Sequence, residues 1–595
     1  MNFPTLKNNW TVWSLFIFLL GYLVIRIIYV GPYLDEAFTF LDYIEQDELW
    51  QESLNERSAN NHLLSTYLGS FFYTCFGYSI FWLRIPSVIA FCIYFFATKH
   101  LVLKGIHEKY QLIVFITLNT IAWIFEYFGY LRGYGLAIAL FLSAVAYLIN
   151  YFEHKKLRQL ILVLVLLWLS VFANLAYFNS VIIVAFCIAV FLIAHSKSLK
   201  TWHLISAVLL FLAFAISMLP LVNYSFQLKE AGALWWGNLS GIWNVTGSTL
   251  SELTFFRTGF LIKSFVTITI VFLAILGIVS AVKNGFIRYL LSIEGIFFTL
   301  FFGNIILIEF LAMFFEVNYP RDRTAMHLVI IFLYLFSSLV QRLNGLNYLL
   351  LALLFFPISF LFKLTPYSSV YQKNYRISYP ISQYLEKHIN DRTSYGVFTS
   401  IQPSLNLELR KHNLVLLYND NHYFPAHQPE FLFIDRLEDK QLIPNYYKLE
   451  IFDENSGTAV YKDQRKHKEI IVKQNEINPV DFGHEYFGLI EDIELKNTIG
   501  NHNFKLRVTG QIESMEQRTP LFLCYSLGDS IERNRASKPM SLDQVVNNFG
   551  NVDFVWNSPI FKPNENTPLL LLYLWNKDKK IIRIKNIKVV LYKVL

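Results

Sequence analysis

Apolar residues in this chain gather into long uninterrupted runs, and short polar clusters separate one run from the next. A membrane-crossing helix needs about 20 such residues. Runs of that kind lie near 10–30, 80–103, 110–128, 134–152, 158–177, 179–196, 203–222, 259–282, 289–315, 325–341 and 346–363, which predicts about eleven transmembrane helices within residues 1–365. Arg26 interrupts the first run and no small-residue cleavage site precedes Gly31-Pro32, so this run reads as a retained span and not as a signal peptide. Leu63 to Phe76 is helical in pattern but short for a crossing. It reads as an interfacial helix closing a large first external loop, residues 31–78; a short span with inverted flanks is the alternative.

After Pro366 the period changes. Residues 381–390 carry apolar positions at helical spacing, and strand-like runs follow at Tyr395–Ser400, Leu414–Tyr418, Glu430–Asp435, Tyr447–Phe452 and Thr458–Tyr461, which predicts a small α/β domain over 366–468. Beyond that, Phe504, Leu506, Val508 and Ile512 alternate with Lys505, Arg507, Thr509 and Gln511, the period of a half-buried strand. Similar runs at Leu521–Leu527, Asp553–Trp556, Leu569–Trp575 and Ile581–Tyr592 predict an antiparallel β-sandwich over 469–595. The expected fold is therefore a polytopic α-helical membrane protein followed by a soluble α/β subdomain and a C-terminal β-sandwich. Trp556 and Trp575 are candidates to stack on a sugar ring in the sandwich, with core packing as the other fate open to them.

Composition agrees with the pattern: 54% of the 595 residues are hydrophobic and 16% charged, where a soluble domain carries about 25% charge. Fifty-one Lys and Arg against 44 Asp and Glu give +7. The excess sits in loops, at Lys104–Lys109, Glu153–Arg158, Lys197–Lys200 and Lys283–Arg288, which marks those loops as cytoplasmic and is no footprint of nucleic acid. An odd number of spans then puts the N terminus in the cytoplasm and the C-terminal domains across the membrane. Cys75, Cys92, Cys187 and Cys524 lack metal-ligand spacing, which excludes a zinc module or a disulfide scaffold as the organising feature.

Four polar clusters fall at the outer ends of the expected spans: Asp35-Glu36, Asn60-Asn61-His62, Arg132 in Gly129–Leu136, and Tyr319-Pro-Arg321-Asp-Arg323-Thr324. Singly, each has an ordinary reading, as a solvated loop acid, a snorkelling arginine or a packed histidine. Jointly they describe a chemistry. Arg132, Arg321 and Arg323 suit a lipid phosphate, since guanidinium forks bind phosphate oxygens and keep their charge, with Tyr134 and Tyr319 in support. Asp35 would take the proton from an acceptor hydroxyl attacking an anomeric carbon, and Glu36 would position the acceptor or an arginine. Fixed positive charge on the departing phosphate makes a metal unnecessary, so no cofactor is implied, and one base with one clamp implies inversion.

These elements, in this order, resemble those of the GT-C superfamily of membrane glycosyltransferases, near its bacterial protein O-mannosyltransferases and lipid A aminoarabinose transferases. Asp35-Glu36 is similar to the family's first-loop acid pair, Asn61-His62-Leu63-Leu64 partly to a His-Pro-Pro-Leu stretch, and Leu83-Arg84-Ile85-Pro86-Ser87 to a Leu-Arg-Leu-Pro-Ser element. Leu131-Arg132-Gly133-Tyr134-Gly135-Leu136 is similar to an Ala-Arg-Pro-Tyr-Ala-Leu turn, and Tyr319–Thr324 to a late Tyr-Pro-x-Asp-Arg-Thr element. The prolines after His62 are missing, and Gly133 stands in place of a proline. The resemblance covers about residues 10–363 and implies a polyprenyl-phosphate sugar donor, an external site between first loop and bundle, and Asp35 as base. The acceptor is then a glycan, lipid or protein hydroxyl outside the bacterial cytoplasmic membrane, with His62 and Asn61 as first-loop support. A glycan polymerase or ligase, a lipid-linked-glycan transporter, and a binding module carried by the soluble tail are the competing readings.

Overall fold

The computed structural model describes residues 9–45, 58–234, 237–255, 259–343 and 345–369, and beyond them 376–388, 395–397, 401–410, 429–434, 443–454, 456–465, 468–481, 487–495, 502–514, 519–528, 543–546, 550–558, 560–563, 569–575 and 581–595, with isolated positions besides. Contacts divide the chain into two compact units: Met1–Ile28 with Leu49–Pro366, and Tyr29–Glu48 with Tyr367–Leu595.

The first unit is helical. Among the described residues, eight helices are long and apolar enough to cross a membrane: Trp10–Tyr29, Ile80–Gly105, Gly133–His154, Leu175–Ala194, Thr201–Glu230, Phe260–Asn284, Ile293–Phe315 and Asp322–Val340. A ninth candidate, Glu108–Asn119 with Ala122–Gly129, is bent by 53°. Two of the eleven expected spans, Leu157–Ala173 and Asn347–Phe362, are apolar helices of no more than 17 residues, so by length the count falls to eight or nine. The bend has a local cause. Asn119 donates from Nδ2 to the Phe115 carbonyl at 2.8 Å and Thr120 from Oγ1 to that of Ile116 at 2.8 Å, side-chain bonds that compete with the backbone ladder where it breaks. Asn347–Leu354 forms a 3₁₀ turn before Phe355–Phe362, which shortens the last segment.

Gly133–His154 and Asp322–Val340 form the buried centre of this unit, whereas Thr201–Glu230 and Phe260–Asn284 turn most of their apolar surface outward. Arg26, the residue that interrupts the first run, is buried and paired with Glu126 at 2.8 Å, and it also donates to the Thr365 carbonyl at 2.7 Å. Leu63–Phe76 is a helix over the expected residues, with Leu63, Thr66, Ser70 and Tyr73 on its buried face.

The second unit begins with the short helix Leu34–Phe38, which packs against Gln402–Arg410. Tyr33 forms an antiparallel bridge with Arg376. Gly31 lies so close to this segment that a Cβ there would meet the Ile377 carbonyl oxygen at 1.7 Å. A four-stranded sheet follows, of β1 (Tyr395–Val397), β2 (Phe431–Ile434), β3 (Tyr447–Asp453) and β4 (Thr458–Asp463) in the order β1-β2-β4-β3, parallel only between β1 and β2. Tyr379–His388 and Gln402–Arg410 cover it through Ile381, Leu385, Leu405 and Leu409. The expected strand at Leu414–Tyr418 lies outside the described residues.

The rest is two antiparallel sheets. One has the order β10-β9-β12-β7, from β7 (Phe487–Glu494), β9 (Thr519–Gly528), β10 (Asp543–Val546) and β12 (Leu569–Trp575). The other has the order β11-β8-β13-β5, from β5 (Glu469–Ile477), β8 (Asn503–Ser514), β11 (Gly550–Asn557) and β13 (Ile582–Val594), with β6 (Val480–Asp481) beside β13. Lys473 and Asn475 of β5 reach Glu491 of β7 and tie the two sheets together. Phe504, Leu506 and Val508 are buried as their alternation requires. Lys505, on the face expected to be polar, is buried too, and its ion pair with Glu469 at 2.8 Å compensates the charge.

Candidate active site

The turn that carries Arg132 starts from Tyr127–Gly129, a single 3₁₀ turn, and ends where Arg132, in extended backbone, opens the buried helix Gly133–His154. This arrangement depends on a residue without a side chain at position 133. A Cβ on Gly133 would sit 2.0 Å from the Ala173 carbonyl oxygen and 2.8 Å from Cβ of His62, so glycine is what lets first loop, helix end and turn meet. A proline there would collide in the same way.

Arg132 is 1% exposed. Its guanidinium forks onto Asn60, Nη1 donating to the carbonyl oxygen at 3.0 Å and Nη2 to Oδ1 at 2.5 Å, and it lies 5.7 Å from the Tyr134 ring centroid. Arg323 lies over the same ring at 5.9 Å. The His62 ring stands 4.5 Å from that of Tyr134, edge to face. His62 bonds through Nδ1 to the Ala173 carbonyl at 3.1 Å, while its Nε2 is buried without a hydrogen-bond partner among the described residues. Burial holds the His62 pKa well below the usual histidine range, and the charges of Arg132 and Arg323 push the same way against the Ala173 bond. Asn61 braces the loop, accepting from Thr66 at 2.8 Å and donating to the Leu49 carbonyl at 3.0 Å.

The two arginines of Tyr319–Thr324 part company. Asp322 between them has φ of +51°, a left-handed turn that an aspartate tolerates, and its N–H donates to Thr249 Oγ1 at 3.1 Å. Arg323 thereby reaches Tyr134, whereas the Arg321 side chain is 57% exposed and meets Asp322 at 3.6 Å. Tyr319 donates its hydroxyl to Glu309 at 2.8 Å, and that bond raises the phenol pKa. The structure thus gathers Arg132, Tyr134, Arg323, His62 and Asn61 in one place and turns Arg321 and Tyr319 to other partners.

Asp35 and Glu36 belong to the second unit. They are not solvated loop acids: Asp35 is 8% exposed and Glu36 is fully buried, accepting from the Tyr33 N–H at 3.1 Å. Trp556 lies on β11 opposite Val508, and Trp575 on β12 opposite Phe487 and Phe522, in different sheets; their side chains lie outside the described residues.

Within the first unit, His62, Tyr134 and Asn61 line a cavity of about 480 Å³. Its walls are apolar, with Phe172, Ile182, Val222, Phe226, Ile308 and Phe315, and its polar points include Lys229, Asn174 and His327. Sequence reasoning missed His327, which follows the Tyr319–Thr324 motif by three residues in the first turn of Met326–Val340. It also left Asn60 without a role, beside the Asn61-His62 pair it singled out. Among the described residues no three His, Cys, Asp or Glu come together as a metal site. Arg132 and Arg323 lie over the ring of Tyr134, a lining residue of this cavity, and Lys229 is the cationic residue among its lining residues.

Fold and cavity define a polytopic membrane protein with a β-rich C-terminal region. No protein-family model and no curated protein matches the chain. Among solved structures it is similar to ArnT from Cupriavidus metallidurans in the apo state, with TM-score 0.42 and 11% identity over 77% of this chain and 98% of that one. The same protein bound to undecaprenyl phosphate gives 0.36 and 10% over 76% and 98%. Arabinosyltransferase EmbB from Mycobacterium smegmatis gives 0.33 and 10% over 96% of this chain and 63% of that one.

Proposed function

We propose that the chain is an integral membrane glycosyltransferase that moves a sugar from a polyprenyl phosphate to a hydroxyl of a glycan, lipid or protein on the extracytoplasmic side. The observation that carries this reading is the pair of guanidiniums, Arg132 and Arg323, set over the ring of Tyr134, which itself lines an apolar cavity. Such a site offers fixed positive charge to a phosphate and apolar walls to the chain attached to it. The acceptor oxygen forms its bond to the anomeric carbon as the bond from that carbon to the phosphate oxygen breaks. The electron pair leaves on the phosphate, where Arg132 and Arg323 stabilise it, and a single displacement inverts the anomeric centre. The base is assigned to Asp35 on the strength of its motif, with Glu36 beside it, and no metal is required. Arg321 and Tyr319 support the turn that presents Arg323.

The test is transfer from a panel of radiolabelled undecaprenyl-phosphate sugars in membranes, with and without a metal chelator. Native protein should consume one donor in chelator, and Asp35→Asn and Arg323→Ala should each lower turnover at least about 100-fold. Turnover indifferent to Arg323, or no donor consumed, would overturn the assignment.

A further inference from the structure

The segment that bears Asp35 and Glu36 is held, point after point, by parts of the chain that come after Pro366. Within the second unit the ring of Tyr29 stands edge to face with those of Tyr367, at 5.5 Å, and Tyr379, at 5.3 Å. Two residues on, Gly31 comes so close to the Ile377 carbonyl that no side chain fits between them. Tyr33 then bridges Arg376, and Leu34–Phe38 packs against Gln402–Arg410. Gln402–Arg410 is buried on more than its sheet side. Besides Leu405 and Leu409, its Ser404, Leu407 and Glu408 are at most 1% exposed, and Glu408 accepts from Ser382 of Tyr379–His388.

Leu34–Phe38 needs this support. It is five residues long and continues only into a short π-helical stretch, Thr39–Ile44, whereas a helix without tertiary contacts is marginal below about 12 residues. Inside it the backbone around Asp35 is fixed on both sides. The buried Glu36 carboxylate accepts from the Tyr33 N–H at 3.1 Å, which ties the helix start to the residue that bridges Arg376. The Asp35 carbonyl accepts from Thr39 Oγ1 at 2.8 Å, which ties it to the following turn.

We infer that the C-terminal α/β region, through Tyr367, Arg376 to Tyr379 and Gln402–Arg410, is the positioning element for the proposed base. It sets where the Asp35 carboxylate stands, with Gly31 and Tyr379 as positioning residues and Glu36 as the cap that transmits the placement. The inference rests on the transferase reading above, with Asp35 as base, and gives the region after Pro366 a part in the chemistry. A base displaced by about 1 Å costs on the order of 100-fold in rate. Donor affinity, assigned to Arg132 and Arg323 of the first unit, should stay.

The experiment measures kcat and KM of the full-length protein in detergent for the undecaprenyl-phosphate sugar it consumes, together with binding of radiolabelled undecaprenyl phosphate. Gly31→Ala, whose methyl group must push the segment off Ile377, should lower kcat about 10- to 100-fold and leave KM and lipid binding within about twofold. In an Asp35→Asn background the same change should cost nothing further, because the base it misplaces is already gone. A general fold defect would instead multiply with the loss of the base. Where Gly31→Ala does not fold, Tyr379→Ala carries the same cycle, and Tyr379→Phe, which keeps the ring against Tyr29, should recover most of the loss. Full activity of Gly31→Ala and Tyr379→Ala, failure of both to fold, losses that multiply with Asp35→Asn, or lipid binding that falls as far as kcat would overturn the inference and leave the transferase reading standing. Turnover indifferent to Asp35→Asn would remove the base and the inference with it, and consumption of no donor would overturn both readings.

Discussion

At the scale of single residues, the site is decided by which neighbour a charge finds. Arg321 and Arg323 are indistinguishable in the sequence, two residues apart in one motif, and only the left-handed backbone at Asp322 sends one to Tyr134 and the other to solvent. His62 shows a related effect: its imidazole is legible as a polar residue at a helix start, but its neutrality comes from burial and from Arg132 and Arg323, which are distant in sequence. That neutrality has a pH signature. The folded-state pKa lies below the unfolded value of about 6.5, so the unfolded chain binds more protons as pH falls below 6.5 and stability drops. The groups facing His62 are Arg132, Arg323, Tyr134 and the Ala173 carbonyl. Thermal unfolding in detergent between pH 7.5 and 5.5 should therefore fall less steeply for His62→Gln than for the native protein, by up to about 1.4 kcal/mol at pH 5.5. Equal slopes would mean that the ring is charged or exposed.

At the scale of elements, the buried pair of Arg26 and Glu126 joins the first helix, the bent segment and the Thr365 carbonyl at the end of the last helix. Removing one partner leaves the other charged and enclosed. Arg26→Met alone should cost about 3–5 kcal/mol, and Arg26→Met with Glu126→Met distinctly less, which a double-mutant cycle on unfolding in detergent measures. The sequence shows this pair as an interruption and nothing more, because the two residues are 100 positions apart. Helices and most strands were legible because their apolar periods are strong. The break after Asn119 was not, since neither Gly nor Pro marks it and the cause is side-chain bonding to the local backbone. Gln402–Arg410 escaped for the opposite reason: Leu405, Leu407 and Leu409 alternate with polar residues, a strand-like period, yet Pro403 starts a helix and all three leucines are buried.

At the scale of the whole molecule, helix length and loop charge give different counts of crossings. Length admits eight or nine. The basic loops at 104–109, 153–158 and 197–200 share one side only if two crossings separate each from the next, which requires both the bent pair and the 17-residue Leu157–Ala173 to span. Those two bring the crossings to ten, an even number, so an exported C-terminal region requires Asn347–Phe362 to span as well; a reporter active only outside the cytoplasm, fused after Leu595, should then be active, and a silent one would put both ends on one side. The second unit has a further property: its first piece ends at Glu48 and its next begins at Tyr367. A ribosome adding about 5–20 residues per second needs tens of seconds to make what lies between. Through that interval the segment holding Asp35 and Glu36 waits without the sheet and helix that will bury it. Leu34–Phe38, which carries the acids proposed for catalysis, thus meets its packing partner Gln402–Arg410 only after every membrane helix has been synthesised.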